Sequence, residues 1–193
     1  SSEIKIIHES EEEEVLDFKI GIPGRKYHAM AMITINNNLF IYIFGGMEGN
    51  DKYLNDFWLF DTKSKNCVQL KSNNSPEPRC GHTLTYYNNK LYLFGGRNKK
   101  NTFNDFWIYD IRARSWEQTA CKNRYSPSPR AFMTADLVNE RIVFHGGMYE
   151  NQIYQDFYVF DLNRNQWIPA NVVGDFITPR AMHKSIYIEQ IGR

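Results

Sequence analysis

The sequence predicts an all-β protein made of one four-stranded antiparallel unit repeated along the chain. Three observations carry the prediction. Glycine doublets and aspartates recur with a spacing of 49 to 51. Aromatic residues make up 15% of the chain, with 12 Tyr and 13 Phe, and they gather in short runs that suit strands. The runs are separated by Asn, Gly and Pro, which favour tight turns.

The markers keep one phase. Gly-Gly stands at Gly45-Gly46, Gly95-Gly96 and Gly146-Gly147, and Asp-Phe at Asp56-Phe57, Asp105-Phe106 and Asp156-Phe157. A second Asp follows at Asp61, Asp110 and Asp161, and six residues later come Cys67, Trp116 and Trp167. Arg recurs at Arg25, Arg79, Arg130 and Arg180, preceded by Pro in the last three. In the second unit the four strands read His82–Tyr87, Lys90–Phe94, Phe106–Tyr109 and Trp116–Thr119. Asn88-Asn89 joins the first two, because Asn tolerates the positive φ of a two-residue hairpin turn. Asn37-Asn38 and Asn139-Glu140 hold the same place in the other units. The second strands, such as Phe40-Ile41-Tyr42-Ile43-Phe44, are apolar throughout, as expected of strands covered on both faces by stacked sheets.

These residues resemble the kelch repeat over positions 24 to about 188. The doublet after the second strand, the aromatic third strand Phe106-Trp107-Ile108-Tyr109 and the Trp in the fourth strand carry the resemblance. It implies a β-propeller, with blades around a central channel. It also implies that each Trp packs near the glycine doublet of its own blade. Two residues depart from the pattern: Cys67 replaces the first Trp, and His145 replaces the Phe that precedes the doublet at Phe44 and Phe94.

The expected organisation is three complete blades, about 24–70, 78–119 and 129–170, and a partial one at 179–193. Kelch rings close with six or seven blades, so the reading is of a longer chain's propeller in part; a second copy supplying the remaining blades is the alternative. Residues 1–23 lack the markers. They hold an acidic run, Glu9–Glu14, and Val15–Ile20 reads as the outer strand of a preceding blade. An open half ring exposes two apolar blade faces.

Strand order defines two rims. One carries the second-to-third-strand loops and the crossovers between units, which differ from unit to unit on a constant frame. Loops held on a rigid frame are where recognition resides, and the resemblance implies protein binding through this rim. The expected contacts are Tyr53, Arg97, Lys99, Tyr125 and Tyr149. They fall outside the repeat markers, and Tyr and Arg dominate binding energy at interfaces. Arg25, Arg79, Arg130 and Arg180 open the innermost strands on this rim. They either grip an anion at the channel mouth or pair with Asp56, Asp105 and Asp156; the shared periodicity favours pairing. The opposite rim carries short basic turns with Lys63, Lys65, Arg112, Arg114 and Arg164, which read as solvated hairpin tips or a seat for an acidic partner.

Composition and motifs bound the function. Net charge is +1, from 23 Lys and Arg against 22 Asp and Glu, so no attraction to nucleic acid or membrane is indicated. No apolar run spans a bilayer and no secretory signal is visible. Cys67, Cys80 and Cys121 share no metal-site or disulfide spacing, which points to a reducing, cytoplasmic setting. No nucleotide, hydrolase or metalloprotease motif occurs. His28, His82 and His183 each stand three residues after a repeat Arg, with Met133 in the remaining slot, so they read as packing positions. His145 stands outside that periodicity. The sequence therefore points to a non-catalytic protein-interaction module and scaffold with no cofactor or metal. The alternatives are a propeller enzyme with an axial metal and the kelch region of a serine/threonine phosphatase.

Overall fold

Asparagine turns open the sheets. Asn36-Asn37 and Asn88-Asn89 all have positive φ, between 45° and 59°, and Asn139 follows with 51°. In the first unit Ile35 pairs with Asn38, so the turn is Asn36-Asn37 and not Asn37-Asn38. The computed structural model describes residues 3–6, 14–17, 21–72, 74–120, 122–175 and 177–188. Among these residues there is no α-helix.

The strands are β1 (Glu3–Ile6), β2 (Glu14–Asp17), β3 (Ala29–Ile35), β4 (Asn38–Glu48), β5 (Lys52–Asp61), β6 (Asn66–Leu70), β7 (Thr83–Tyr87), β8 (Lys90–Phe94), β9 (Phe106–Asp110), β10 (Ser115–Thr119), β11 (Thr134–Val138), β12 (Arg141–His145), β13 (Met148–Tyr149), β14 (Gln152–Ile153), β15 (Phe157–Asp161) and β16 (Gln166–Ile168). They form three four-stranded antiparallel sheets, β3-β4-β5-β6, β7-β8-β9-β10 and β11-β12-β15-β16, in which spatial order follows chain order. Two hairpins, β1-β2 and β13-β14, complete the set. The strand read at Val15–Ile20 overlaps β2, while residues 18–20 and 9–13 lie outside the described residues. The first strand read at 179–188 forms no ladder.

Each sheet is a blade, and adjacent blades meet through aromatic seams. Trp116 lies 5.3 Å from both Phe44 and Phe57 of the preceding blade and 5.1 Å from Tyr109 of its own. Trp167 repeats the arrangement against Phe94 at 5.3 Å and Phe106 at 5.6 Å. The indole is thus a wedge between blades, which corrects the expectation that it packs near its own blade's glycine doublet. The doublet is required for another reason. A Cβ on Gly45, at φ +58°, would sit 2.9 Å from the carbonyl oxygens of Arg79 and Leu54. Only glycine lets the next blade's backbone approach that closely.

That approach is a hydrogen-bonded junction repeated at each seam. The second glycine of each doublet donates to the next arginine's carbonyl: Gly46 to Arg79, Gly96 to Arg130 and Gly147 to Arg180, all 2.9 Å. Two residues beyond each arginine the backbone is left-handed, at Tyr27, Gly81, Phe132 and Met182. There the chain threads from blade to blade: Gly81 donates to Tyr27 O at 2.9 Å, Phe132 to Gly81 O at 2.7 Å and Met182 to Phe132 O at 2.9 Å.

The seams bury the core, including Phe44, Phe57, Leu91, Leu93, Tyr109 and Trp116 in the first, and Phe94, Phe106, Ile142, Phe160 and Trp167 in the second. Strand alternation puts Met30, Met32, Ile41, Ile43 and Cys67 on the other face of the first blade. Met30 and Met32 are exposed there, whereas Leu84, the counterpart of Met30 in the second blade, is buried in the seam.

Candidate functional site

The rim with the variable loops is fixed from below by ion pairs. Arg79 Nη1 and Nη2 donate to Asp105 Oδ1 and Oδ2 at 2.6 and 2.8 Å, and Nη1 also reaches Gly95 O at 3.0 Å. Arg25 repeats this with Asp56 at 2.6 and 2.8 Å, and Arg130 with Asp156 at 2.6 and 3.2 Å. Trp58 and Trp107 add indole N–H bonds to Asp56 and Asp105 at 2.6 and 2.7 Å. Burial pushes the Asp56 carboxyl up, but the bonds from Arg25 and Trp58 more than reverse this and leave it below its ordinary value. The Arg25, Arg79 and Arg130 side chains are almost wholly buried. None of the three lines the axial cavity. Arg180 bonds Thr178 instead, at 3.0 Å, and has no carboxylate partner among the described residues.

The expected contact residues sit at different depths above this frame. Arg97, Lys99 and Tyr149 are exposed, whereas Tyr53 and Tyr125 are half-buried. Tyr53 packs against a small core of Met47, Cys80, Ala131 and Phe132. Tyr125 leans on the second seam and carries the Arg124 guanidinium 4.7 Å from its ring centroid. Arg97 lies 5.7 Å from the Phe132 ring centroid, which draws it toward the channel mouth. Tyr149 projects on the β13-β14 hairpin opposite Gln152, and Ile153 of the same hairpin is 47% exposed. Val172, Val173 and Ile177, on the crossover after the third blade, are exposed too. The contacts chosen from the sequence left out these aliphatics, although apolar residues in a loop were a readable signal.

On the opposite rim the aspartates are occupied by turns. Asp61 accepts from the Lys63 and Ser64 amides at 2.9 and 3.2 Å, and Asn38 donates to it at 2.9 Å. That shell, led by the Asn38 amide, holds the Asp61 carboxyl down at about 2. Asp110 and Asp161 cap their turns in the same way. Lys63, Arg112, Arg114 and Arg164 stand exposed at the tips, and Lys65 is half-buried.

The axis is lined by the residues three beyond each arginine. His28, His82, Met133 and His183 surround a cavity of about 310 Å³, with Met30 and Thr134. Burial, with Arg79 nearby, pushes the His82 imidazole down to about 3, so it is neutral. Its ring meets Phe44 edge-on at 5.4 Å. Among the described residues no three His, Cys, Asp or Glu side chains gather as a metal site. Cys121 lies outside the described residues.

Four-stranded blades joined head to tail around an axis are the blades of a β-propeller. A family model described as the KLHDC2/KLHL20/DRC7 Kelch-repeats domain matches residues 9–191, and the chain belongs to the kelch-repeat family. Protein ral2 of Schizosaccharomyces pombe is 32% identical over 106 residues, covering 51% of this chain and 17% of that protein. Tip elongation aberrant protein 1 of the same organism is 32% identical over 153 residues, covering 74% of this chain and 13% of that protein. Human Kelch domain-containing protein 1 is 29% identical over 117 residues, covering 58% and 29%. The chain thus matches less than a third of the length of each of these relatives.

Proposed function

We propose that this chain is a non-catalytic protein-interaction module of a larger intracellular protein, and that it holds its partner with the variable loops of the arginine-bearing rim. The observation that carries the reading is a contrast on one surface. The arginine–aspartate pairs and glycine junctions recur from blade to blade, yet the exposed side chains above them do not. Arg97, Lys99 and Tyr149 make no repeat contact that would account for their identity, and Tyr53 and Tyr125 form the half-buried shoulders of the same surface. Aromatic and Arg side chains on a rigid base lose little entropy on binding and so serve as anchors. Catalysis, on this reading, belongs to other parts of the full-length protein.

Two mutant sets test the working face. Arg97→Ala with Tyr149→Ala is expected to weaken capture of an identified partner about tenfold or more, as loss of anchor residues does. Arg112→Glu with Arg114→Glu on the opposite rim is expected to change only the salt dependence of association. Binding by surface plasmon resonance at two ionic strengths separates the two. Abolition by the Arg112/Arg114 set, with the Arg97/Tyr149 set still binding, would overturn the assignment.

A further inference from the structure

The three seams solve one packing problem in three ways. The residue ahead of each glycine doublet faces the residue three beyond the next arginine. In the first seam that places Phe44 against His82, with rings edge-on at 5.4 Å. In the second, Phe94 and Met133 share one core cluster. In the third, His145 meets His183. The His145 ring stacks on Phe157, centroids 4.3 Å apart and 18° from parallel, and its Nδ1 lies 3.1 Å from His183 Nε2. Thr134 Oγ1 lies 3.2 Å from that same His183 nitrogen. The outer nitrogens, His145 Nε2 and His183 Nδ1, are buried with no hydrogen-bond partner.

Two facing imidazole nitrogens need one proton between them. An additional proton puts a positive charge in a buried place, and full protonation sets two N–H donors against each other. The surrounding charges relieve little of this. Arg180 lies on the same segment as His183. Asp136 on β11 accepts the Ser185 hydroxyl. Asp156, just before β15, is held by Arg130. Lys184 follows His183 directly and acts on His28 across the axis.

We propose that the His145–His183 pair is a proton-sensitive latch, which holds residues 177–188 on the third blade while both imidazoles are neutral and releases them on protonation. Among the described residues, the other ties of 177–188 to the blades are the Gly147–Arg180, Arg180–Tyr154 and Met182–Phe132 backbone bonds, the Ser185–Asp136 contact and the packing of Ala181 on the Cys80–Phe132 cluster. Burial lowers both imidazoles from their ordinary value. Arg180 adds to the effect on each, His145 lowers His183 further, and Asp156 and Asp136 offset it in part. A histidine held below its unfolded value stabilises the fold above that value. The stability is lost as pH falls through about 6.5 and below.

Hydrogen exchange on the full chain reads this locally. Met182 N–H reports the third seam through its bond to Phe132 O, and Phe132 N–H reports the second through its bond to Gly81 O. The protection of Met182 relative to Phe132 is expected to fall roughly tenfold between about pH 7.5 and about pH 5.5. Taking the ratio removes whole-molecule effects of His28 and His82. His145→Phe rebuilds the Phe44–His82 arrangement of the first seam and is expected to flatten the ratio. His183→Gln keeps a hydrogen-bonding side chain without a titration and serves if the first variant does not fold. A constant ratio in the parent chain, or an equal fall in either variant, would overturn the latch.

Discussion

Arg79→Ala is expected to lower the unfolding free energy by about 3–5 kcal/mol, the usual loss when one partner of a buried ion pair is removed. The Arg79 side chain is 0% exposed and its fork meets both oxygens of Asp105. Its guanidinium also lies 4.0 Å from the Phe103 ring centroid and satisfies the Gly95 carbonyl beside the doublet. Removing it leaves the Asp105 carboxylate with the Trp107 indole N–H but no counter-charge, and takes a donor from the Gly95 carbonyl. Arg79→Lys keeps the charge but not the planar fork, so it is expected to recover only part of the loss. Urea denaturation of the three proteins measures this. A loss below about 1 kcal/mol for Arg79→Ala would mean that the pair carries no more than a surface salt bridge.

The second large effect falls on the wedge. Trp116→Ala is expected to cost about 3–5 kcal/mol, since it empties a site lined by Phe44, Phe57 and Tyr109 from two blades. Cys67→Ala is expected to cost much less. Cys67 occupies the same place in its blade, but it is half-buried on the face turned away from the second blade. The same denaturation series compares them, and a larger loss for Cys67→Ala would contradict the seam description.

Much of the blade was readable because its determinants are local. Asparagine turns, apolar second strands and the period of the markers sit within a few residues of the elements they specify. The pairing of Arg79 with Asp105 was readable too, because both recur in phase on one rim. What escaped were contacts between blades. The period of Trp116 and Trp167 says where they lie along the chain but not which neighbour their face meets, since that depends on strand register. His145 could be singled out as irregular, but its partner stands 38 residues later, beyond the last strand of the third blade. The left-handed backbone at Tyr27, Phe132 and Met182 left no trace in residue type, and only Gly81 in that series hinted at it. Tyr53 and Tyr125 looked like free anchors because their packing partners are distant in sequence.

The thread through Tyr27, Gly81, Phe132 and Met182 has a direction: each link gives its N–H backward and its C=O forward. A chain of like links carries no count. Nothing in one link says whether it is the second or the fifth, and a unit excised cleanly at two junctions would leave ends that still fit. Cohesion in such an array grows with the number of junctions, not with the number of blades. Identity must then be written elsewhere. It is written in the residues that differ from joint to joint: phenylalanine against histidine in the first, phenylalanine with methionine in the second, and a pair of histidines in the third. Those irregularities make the joints chemically distinct where the backbone links are alike.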